Sequence, residues 1–317
     1  MDEIVPGLIS VIIPTYNRLS MLNELLDTVF AQEYPAVEIL VVDDGSEDGT
    51  REAMTALAME RENFLYLRNE RNSGPGFSRR RGFLASRGEY VVFADDDDYY
   101  TDPSFFSRAV KTLRDDADHC LAFAAANARI LYEDTGELRD APLPMRGRIG
   151  AAEYLRGFSG EYPKPLSTFP AVFRRAALER GGLRDTVQTD DRVIYLRALL
   201  AGDAFILPES AGVYRVHGSN LSSSVSAEFT VDLHRENRAV YDEIRRRGLL
   251  EEPEDWWYDQ AWIALRFYIQ NPHSDLRGLR TIFRFLRSQH ISAYRDALLF
   301  RRALGYWLSR RRSGKNG

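Results

Sequence analysis

The sequence is poor in the features that mark secreted, membrane-spanning and zinc-stabilised proteins. Cys120 is the only cysteine among 317 residues, which excludes an internal disulfide and a cysteine-based zinc cluster and favours a reducing compartment such as the cytoplasm. No apolar run approaches the roughly 20 residues that a membrane-spanning helix needs. The first residues, Met1-Asp2-Glu3, are acidic, so we expect no signal peptide. Internal repeats and low-complexity tracts are absent as well.

The chain does contain enough apolar sequence for a sizeable core, with 44% hydrophobic and 28% charged residues. Its length predicts two domains, or one domain with an appendage. Charge is unevenly distributed. From Leu276 onward, eleven Arg and Lys residues and one acidic residue give a net charge of +10, which leaves −15 for the rest of a chain whose total is −5. A nucleic-acid binder would depend on this tail alone, and the acidic remainder argues against such a partner.

The first half of the chain alternates between strand-like and helix-like segments. The predicted elements are strands at 9–13, 37–42, 64–67 and 90–94 and helices near 20–30, 48–60 and 77–86. This alternation predicts an α/β fold with a mainly parallel sheet and helices on both faces. In such sheets ligands bind outside the carboxyl ends of the strands.

Three polar clusters follow directly on predicted strands: Pro14–Arg18, Asp43–Ser46 and Asp95–Asp98. The last cluster is four consecutive aspartates at the end of the apolar run Tyr90–Ala94, where concentrated negative charge is costly. A divalent cation that carries a diphosphate would offset that cost, because hard oxygen ligands suit Mg²⁺ or Mn²⁺. The alternative is a solvated acidic loop that caps the next helix near Asp102-Pro103. Convergence of the three clusters in one crevice favours the cation.

The first two clusters suggest a nucleotide site. Tyr16 offers a flat face for a nucleobase, and Asp43 can accept a hydrogen bond from a base N–H such as that of uracil. Tyr16 also has a plainer interpretation, because an aromatic residue at the end of a strand is typical of the core. Asp44 and Ser46 are typical of caps for the helix that begins near Asp48, and we assign Asp44 mainly that role.

A glycine-containing loop precedes the third predicted helix. Gly74 and Gly76 begin a dinucleotide-binding fingerprint, but Arg79 takes the place of the third glycine and the loop does not follow the first strand. An arginine in the opening turns of a helix nevertheless suits phosphate, since guanidinium groups and unpaired backbone N–H groups both favour anions. Arg79 is therefore a candidate ligand for a diphosphate.

Two further segments carry candidate site residues. Thr189 and Gly202 are typical of the two ends of a helix, which would put Asp190 and Asp191 in its first turn. Aspartates there are common for helix-dipole reasons, and the functional alternative is a general base. Farther on, Arg215 and His217 alternate along a predicted strand; a lone histidine is usually not a metal ligand.

Taken together, these segments resemble the inverting glycosyltransferases of family 2, which have the GT-A fold. The resemblance runs through Ser10–Arg18, Val42–Thr50, Asn72–Gly82 and Gly88–Asp98, and less tightly to His217 and Ser222. It implies a Rossmann-like nucleotide-binding sheet, Mn²⁺ or Mg²⁺ as cofactor, a UDP-sugar donor and a glycan or lipid-linked glycan acceptor. Bacterial surface polysaccharide biosynthesis is the implied setting.

The resemblance also implies roles for individual residues. Asp191 would be the catalytic base, while Asp190 stands where family members usually have glutamate. Asp97 and His217 would be the metal ligands. The implied nucleotide-sugar site consists of Pro14, Tyr16, Asn17, Asp43, Asp44, Arg79, Asp95, Asp96 and Arg215.

The resemblance suggests a nucleotide-sugar-binding half at 1–115 and an acceptor-binding half at 116–224, while residue spacing by itself predicts a helical region at 225–317. In that last region, apolar and basic residues alternate at helical spacing. The apolar members are Leu279, Ile282, Phe283 and Leu286, and the basic members are Arg277, Arg280, Arg284 and Arg287. Such a helix can lie on an anionic membrane, here the inner face of the cell membrane, or dock its apolar side on protein. Trp256, Trp257 and Trp262 are expected in the core or in oligomer contacts.

Two other enzymatic or binding classes remain as alternatives. A sugar nucleotidyltransferase would need a glycine-rich phosphate loop after the first strand, where this chain has Pro14-Thr15-Tyr16. A nucleotide-sugar-binding protein without transferase activity would bind UDP without turnover.

Overall fold

The computed structural model describes residues 3–218, 225–289 and 291–313. The chain divides into two compact units, Met1–His217 and Gly218–Gly317. Ser222, the far end of the family resemblance, lies outside the described residues, as does the predicted domain limit at 224. The division of the first unit at 115 stays a prediction.

The described residues form ten strands, eleven α-helices and a short 3₁₀ helix, Leu183–Asp185. The strands are β1 (Val5–Thr15), β2 (Val37–Asp43), β3 (Phe64–Arg68), β4 (Gly88–Phe93), β5 (Tyr99–Tyr100), β6 (Leu121–Tyr132), β7 (Glu137–Asp140), β8 (Gly147–Ile149), β9 (Ala171–Arg174) and β10 (Asp203–Val216). The helices are α1 (Leu19–Phe30), α2 (Thr50–Glu60), α3 (Pro75–Ala85), α4 (Phe105–Asp115), α5 (Ala151–Gly157), α6 (Arg175–Arg180), α7 (Asp191–Leu199), α8 (Ala227–Arg247), α9 (Pro253–Gln270), α10 (Leu276–Ser288) and α11 (Ala293–Ser313). The elements predicted for the first hundred residues are confirmed, with small differences at their ends.

One sheet runs through the first unit in the order β3-β2-β1-β4-β9-β6-β10-β5, with β7 beside β6 and β8 beside β10. The first four strands are parallel, as predicted. The second half of the sheet is mixed: β6 and β10 are parallel to each other, while the pairings of β5, β7, β8 and β9 are antiparallel. The parallel half therefore presents the carboxyl ends of β1, β2 and β4 at one edge.

Helices cover both faces of the parallel half. Alternate residues of β1, Ile9 to Ile13, pack into a core that includes residues of α1 and α4. On the opposite face, Gly82 of α3 lies against Ile12 and Val42, close enough that a Cβ would sit 2.4 Å from an Ile12 methyl group. Strands covered on both sides require apolar residues at successive positions, which is why β1, β2 and β4 contain the apolar runs Val11–Pro14, Ile39–Val42 and Tyr90–Phe93.

The second unit is helical, as predicted. Trp256 and Trp257 are buried, and α10 buries Leu279, Ile282 and Leu286 while its arginines are exposed. The ring of Phe283 meets that of Phe300 from α11, with centroids 4.6 Å apart. Among the described residues no helix combines the length and the apolar character that crossing a membrane requires.

Candidate active site

The three polar clusters meet at the carboxyl edge of the parallel strands, as predicted. Thr15 at the end of β1 pairs in register with Asp43 at the end of β2. The Thr15 hydroxyl donates a hydrogen bond of 2.7 Å to Asp96, which follows β4. The backbone N–H of Asn17 donates to Ser46 Oγ, and Asn17 Oδ1 accepts from the Glu47 N–H, so the loops after β1 and β2 are joined directly.

The aspartate cluster lies in the protein interior. Asp96, Asp97 and Asp98 are 4%, 6% and 1% exposed, which is incompatible with a solvated acidic loop. One guanidinium nitrogen of Arg18 lies 3.0 Å from Asp96 Oδ1 and 2.7 Å from Asp97 Oδ2. His217 Nε2 lies 3.0 Å from the same Asp97 oxygen.

Arg79 connects this cluster to the predicted base. It is 5% exposed, and its Nη2 contacts Asp95 Oδ1 and lies 3.1 Å from Asp191 Oδ1. On the other side of Asp191, Lys164 Nζ lies 3.6 Å from Oδ2. The structure thus brings Asp95, Arg79 and Asp191 together, and Asp97 with His217.

The helix that carries Asp191 begins one residue later than predicted. Asp190, not Thr189, is its N-cap, and the Asp190 side chain accepts a 2.8 Å hydrogen bond from the Val193 N–H. Only Asp191 lies in the first turn, and the helix ends at Leu199 rather than near Gly202. Thr189 is instead buried, and its hydroxyl lies 2.7 Å from that of Thr186. With the cap role taken by Asp190, Asp191 projects from a rigid element.

The side of the site that was predicted to bind a nucleotide includes an exposed aromatic ring, that of Tyr16, and the buried carboxylate of Asp43. Tyr16 is 44% exposed at the end of β1, so its ring face is accessible to a base. Asp43 is fully buried; its Oδ1 accepts from the Ser46 N–H at 2.7 Å and its Oδ2 accepts from the Tyr66 hydroxyl at 2.6 Å. Burial and the hydrogen bond to Asp43 raise the pKa of Tyr66 well above its ordinary value, which keeps this hydroxyl a donor.

Asp44 does not cap the helix after β2, so that prediction is wrong. The cap position of α2 is Gly49, without a side-chain hydrogen bond. Asp44 instead accepts from Asn69 Nδ2 and from the backbone N–H groups of Ser73 and Gly74, at 2.7–3.0 Å. Its role is to hold the loop that leads into α3.

Two further predicted residues lie nearby in different surroundings. Pro14 is buried within β1 opposite Val42. Arg215 is 8% exposed, and its guanidinium is paired with Glu24 at 2.8 Å and Glu133 at 3.1 Å rather than with the aspartates. Its backbone N–H donates to Asp98 Oδ1 at 3.2 Å.

The electrostatics of the cluster favour additional positive charge. Burial, reinforced by the neighbouring Asp97, raises the pKa of Asp96 to about 7, although Arg18 and Thr15 oppose the rise. Burial raises the pKa of Asp95 to about 6 against the opposing effect of Arg79, and raises that of Asp98 well above its ordinary value. These raised pKa values mean that burial disfavours the ionised carboxylates more than the arginines favour them, and a bound cation would favour the ionised form.

Asp97 and His217 are placed to hold a divalent cation. Across residues 3–218, 225–289 and 291–313, no three His, Cys, Asp or Glu side chains form a group that could hold a metal ion. Two protein ligands nevertheless fit a cation shared with a diphosphate, because Mg²⁺ sites commonly combine one or two carboxylates with substrate phosphates. An imidazole nitrogen beside a carboxylate also suits Mn²⁺.

Sequence reasoning missed Arg18, Thr15 and Lys164. The contact of Arg18 with the aspartates could have been predicted. Arg18 follows β1, and four aspartates at the same edge of the sheet require a positive charge. For Lys164 no such prediction was possible, because it lies in the loop between α5 and β9, which no pattern connects with Asp191.

Comparison with known proteins places the chain in a family. The sequence profile of Glycosyl transferase family 2 matches residues 10–180, more than half of the chain. The chain is similar to GalNAc(5)-diNAcBac-PP-undecaprenol beta-1,3-glucosyltransferase of Campylobacter jejuni, with 27% identity over 212 residues, covering 66% of this chain and 64% of that protein.

Two solved structures resemble the fold. S. aureus TarS 1-349 in complex with UDP superposes with a TM-score of 0.64 at 18% identity, covering 95% of this chain and 91% of that chain. Mannosyltransferase PcManGT from Pyrobaculum calidifontis in complex with GDP-Man and Mn²⁺ superposes with a TM-score of 0.50 at 19% identity, covering 95% and 86%. The site geometry, the family profile and these folds agree: the chain belongs to glycosyl transferase family 2 and has the GT-A fold.

Proposed function

We propose that this protein transfers a sugar, with inversion, from a UDP-sugar to a hydroxyl group of a glycan or lipid-linked glycan in bacterial surface polysaccharide biosynthesis. The observation that carries the proposal is the shared contact of Arg79 with Asp95 and Asp191. It puts a carboxylate suited to general base catalysis next to the cluster suited to a cation and diphosphate.

UDP as the donor's nucleotide is supported by the accessible Tyr16 ring and by the UDP complex of TarS. Asp43 is compatible with it, since a carboxylate can accept a hydrogen bond from the ring N–H of uracil. Asp43 is fully buried and both of its oxygens accept hydrogen bonds. A base can therefore bind to it only if the hydrogen bond from Tyr66 or from Ser46 is displaced. The GDP-Man complex of PcManGT makes a guanosine donor the competing candidate.

Asp97 and His217 would hold Mn²⁺ or Mg²⁺, a choice supported by the Mn²⁺ complex of PcManGT. Such an ion supplies positive charge to the departing diphosphate. Arg79 would contribute charge to the same group from the opening turns of α3. Arg215 would reach a diphosphate only by leaving Glu24 or Glu133.

Asp191 would take the proton of the acceptor hydroxyl as its oxygen bonds to the anomeric carbon. The bond from that carbon to the diphosphate oxygen breaks at the same time, and its electron pair leaves with UDP. Attack from the side opposite the leaving group converts an α-linked donor into a β-linked product. Asp190, as the N-cap of α7, holds the first turn that carries Asp191.

A lipid-linked acceptor is supported by the Campylobacter relative, whose name refers to a PP-undecaprenol substrate. A cytoplasmic location at the inner face of the membrane and self-association through the C-terminal helices stay predictions. The exposed arginines of α10 support an electrostatic contact with anionic lipid.

The test is UDP release from a panel of UDP-sugars and GDP-mannose, with and without Mn²⁺, in the presence of glycan acceptors. Asp191→Asn should lower kcat by about 100-fold to 10,000-fold while UDP affinity stays unchanged. Asp97→Asn should weaken UDP binding in Mn²⁺, and Asp118→Asn, at an exposed position, is the matched control.

Three results would contradict the proposal. UDP binding without turnover would indicate a non-catalytic binding protein, and release of pyrophosphate from a nucleoside triphosphate would indicate a nucleotidyltransferase. Turnover of GDP-mannose alone would overturn UDP as the nucleotide of the donor.

A further inference from the structure

Asp191 has a positive group next to each of its carboxylate oxygens. Arg79 Nη2 lies 3.1 Å from Oδ1, and Lys164 Nζ lies 3.6 Å from Oδ2. The two contacts differ in kind, because 3.1 Å is within the range of a hydrogen bond and 3.6 Å is beyond it. Among the described residues, Oδ2 therefore keeps its capacity to accept a hydrogen bond from a substrate.

Lys164 has a matching spare donor. An ammonium group carries three N–H donors. Two of them are used within its own loop, to the carbonyl oxygens of Pro165 at 3.0 Å and Leu166 at 3.1 Å. In the described part of the chain, the nearest charged acceptor to the third N–H is Asp191 Oδ2, which is too distant to satisfy it.

The ammonium is also held in place. The Lys164 side chain is 23% exposed, and Nζ lies 6.0 Å from the centroid of the Tyr195 ring, one turn beyond Asp191 on α7. Its two carbonyl contacts fix its position relative to the loop, and the Tyr195 ring lies at the outer limit of a cation–π contact. A lysine bound in this way is preorganised, so it can act on a substrate without first being ordered.

We propose that Lys164 is an acceptor-binding residue and that the gap between Lys164 Nζ and Asp191 Oδ2 is the seat of the acceptor hydroxyl. A hydroxyl oxygen about 2.8 Å from both atoms donates its proton to Asp191 and accepts the spare N–H of Lys164. This satisfies both groups at once. The inference rests on the proposed function, since it takes Asp191 to be the base.

The arrangement has a chemical consequence for the transfer. A positive N–H donor on the hydroxyl oxygen stabilises the negative charge that develops as the proton moves to Asp191 Oδ2. The oxygen then forms the new bond to the anomeric carbon, and UDP leaves with the electrons of the broken bond. Lys164 keeps its proton throughout.

Lys164→Met is the principal test, with Lys111→Met as the matched control, because Lys111 is exposed on α4. Lys164→Met should lower kcat/KM for the acceptor by about 100-fold and leave the donor KM and the UDP dissociation constant within about threefold. Lys164→Arg, which keeps a charged donor, should recover at least a tenth of the lost activity. Thermal unfolding of each variant checks that the fold is intact.

A double-mutant cycle separates a shared role from a structural one. In the Asp191→Asn variant, adding Lys164→Met should lower kcat/KM for the acceptor by less than about threefold, because the two residues act on one hydroxyl. Three results would each overturn the assignment. They are losses of kcat/KM that multiply in the double variant, wild-type transfer by Lys164→Met, and a loss of UDP affinity in Lys164→Met as large as its loss of transfer. Wild-type transfer by Asp191→Asn would overturn the proposed function itself.

Discussion

At the residue scale, the carboxylate of Asp44 stabilises the loop before α3 by accepting hydrogen bonds. It accepts hydrogen bonds from Asn69, Ser73 and Gly74, which lie in the loop before α3. Gly74 occupies a left-handed conformation with φ of 87°, where a side chain would be strained, so this loop has one favoured path. Because α3 carries Arg79, Asp44 helps to position a residue of the proposed diphosphate site without contacting that residue.

Asp44→Asn is therefore expected to disturb both stability and binding. An amide replaces one acceptor oxygen by a donor, which would face backbone N–H groups. We expect the free energy of unfolding to fall by about 1–3 kcal/mol and UDP affinity to fall with it. Denaturant unfolding and calorimetric titration measure the two quantities. Asp27→Asn, on the exposed side of α1, should change neither, and unchanged values for Asp44→Asn would disprove the role.

At the scale of elements, α3 is held between the strands and the site by close backbone approach. Gly82 lies on β1 and β2, where an added Cβ would meet Ile12 at 2.4 Å and Val42 at 3.2 Å. Gly76 lies against the loop before α7, with the Thr189 nitrogen 3.0 Å from the position of a Cβ. These two glycines let one helix contact the sheet and the loop before Asp191, which fixes Arg79 between them.

Gly82→Ala and Gly305→Ala form a matched pair, because both glycines lie inside helices. We expect Gly82→Ala to lower the free energy of unfolding by about 1–2 kcal/mol, since overpacking outweighs the gain in helix propensity. At Gly305 an added Cβ would have no atom within 4 Å, so alanine should stabilise α11 by about 0.5–1 kcal/mol. Chemical denaturation followed by circular dichroism measures both changes. Equal effects of the two substitutions would contradict this account of α3.

At the scale of the whole molecule, charge is segregated along the chain. The segment from Leu276 onward carries +10 and the remainder −15. α10 buries Leu279, Ile282 and Leu286 within the second unit and exposes its four arginines, so these arginines are available to an outside partner. Contact with an anionic membrane would accordingly be electrostatic and sensitive to salt, without insertion of the α10 apolar face.

We expect flotation of the protein with anionic liposomes at low salt and its release at high salt. Replacing Arg277, Arg280, Arg284 and Arg287 by glutamine should weaken this binding at least tenfold, since each cation near such a surface contributes about 1 kcal/mol. The control replaces the exposed arginines Arg51, Arg61, Arg71 and Arg139 and so changes the net charge equally. Protein that stays in the soluble fraction at low salt, or equal losses in both variants, would contradict the membrane contact.

Local pattern determined the alternating elements of the first hundred residues and the meeting of polar clusters at one sheet edge. The reason is that strand periodicity depends on neighbouring residues, and the binding of ligands at the carboxyl ends of parallel strands depends only on the order of the elements. Those same rules located Asp95–Asp98 at the site, and the helical character of the C-terminal region followed from spacing alone.

Tertiary structure alone decided which side chains meet. Asp44 became a loop anchor rather than a helix cap, Asp190 took the cap position from Thr189, and Arg215 paired with Glu24 and Glu133. Arg79 and Asp191 are more than a hundred positions apart in sequence, and the placement of Lys164 depends on a loop without a repeating pattern. Contacts of this kind depend on the path of the chain through space, which residue spacing does not encode.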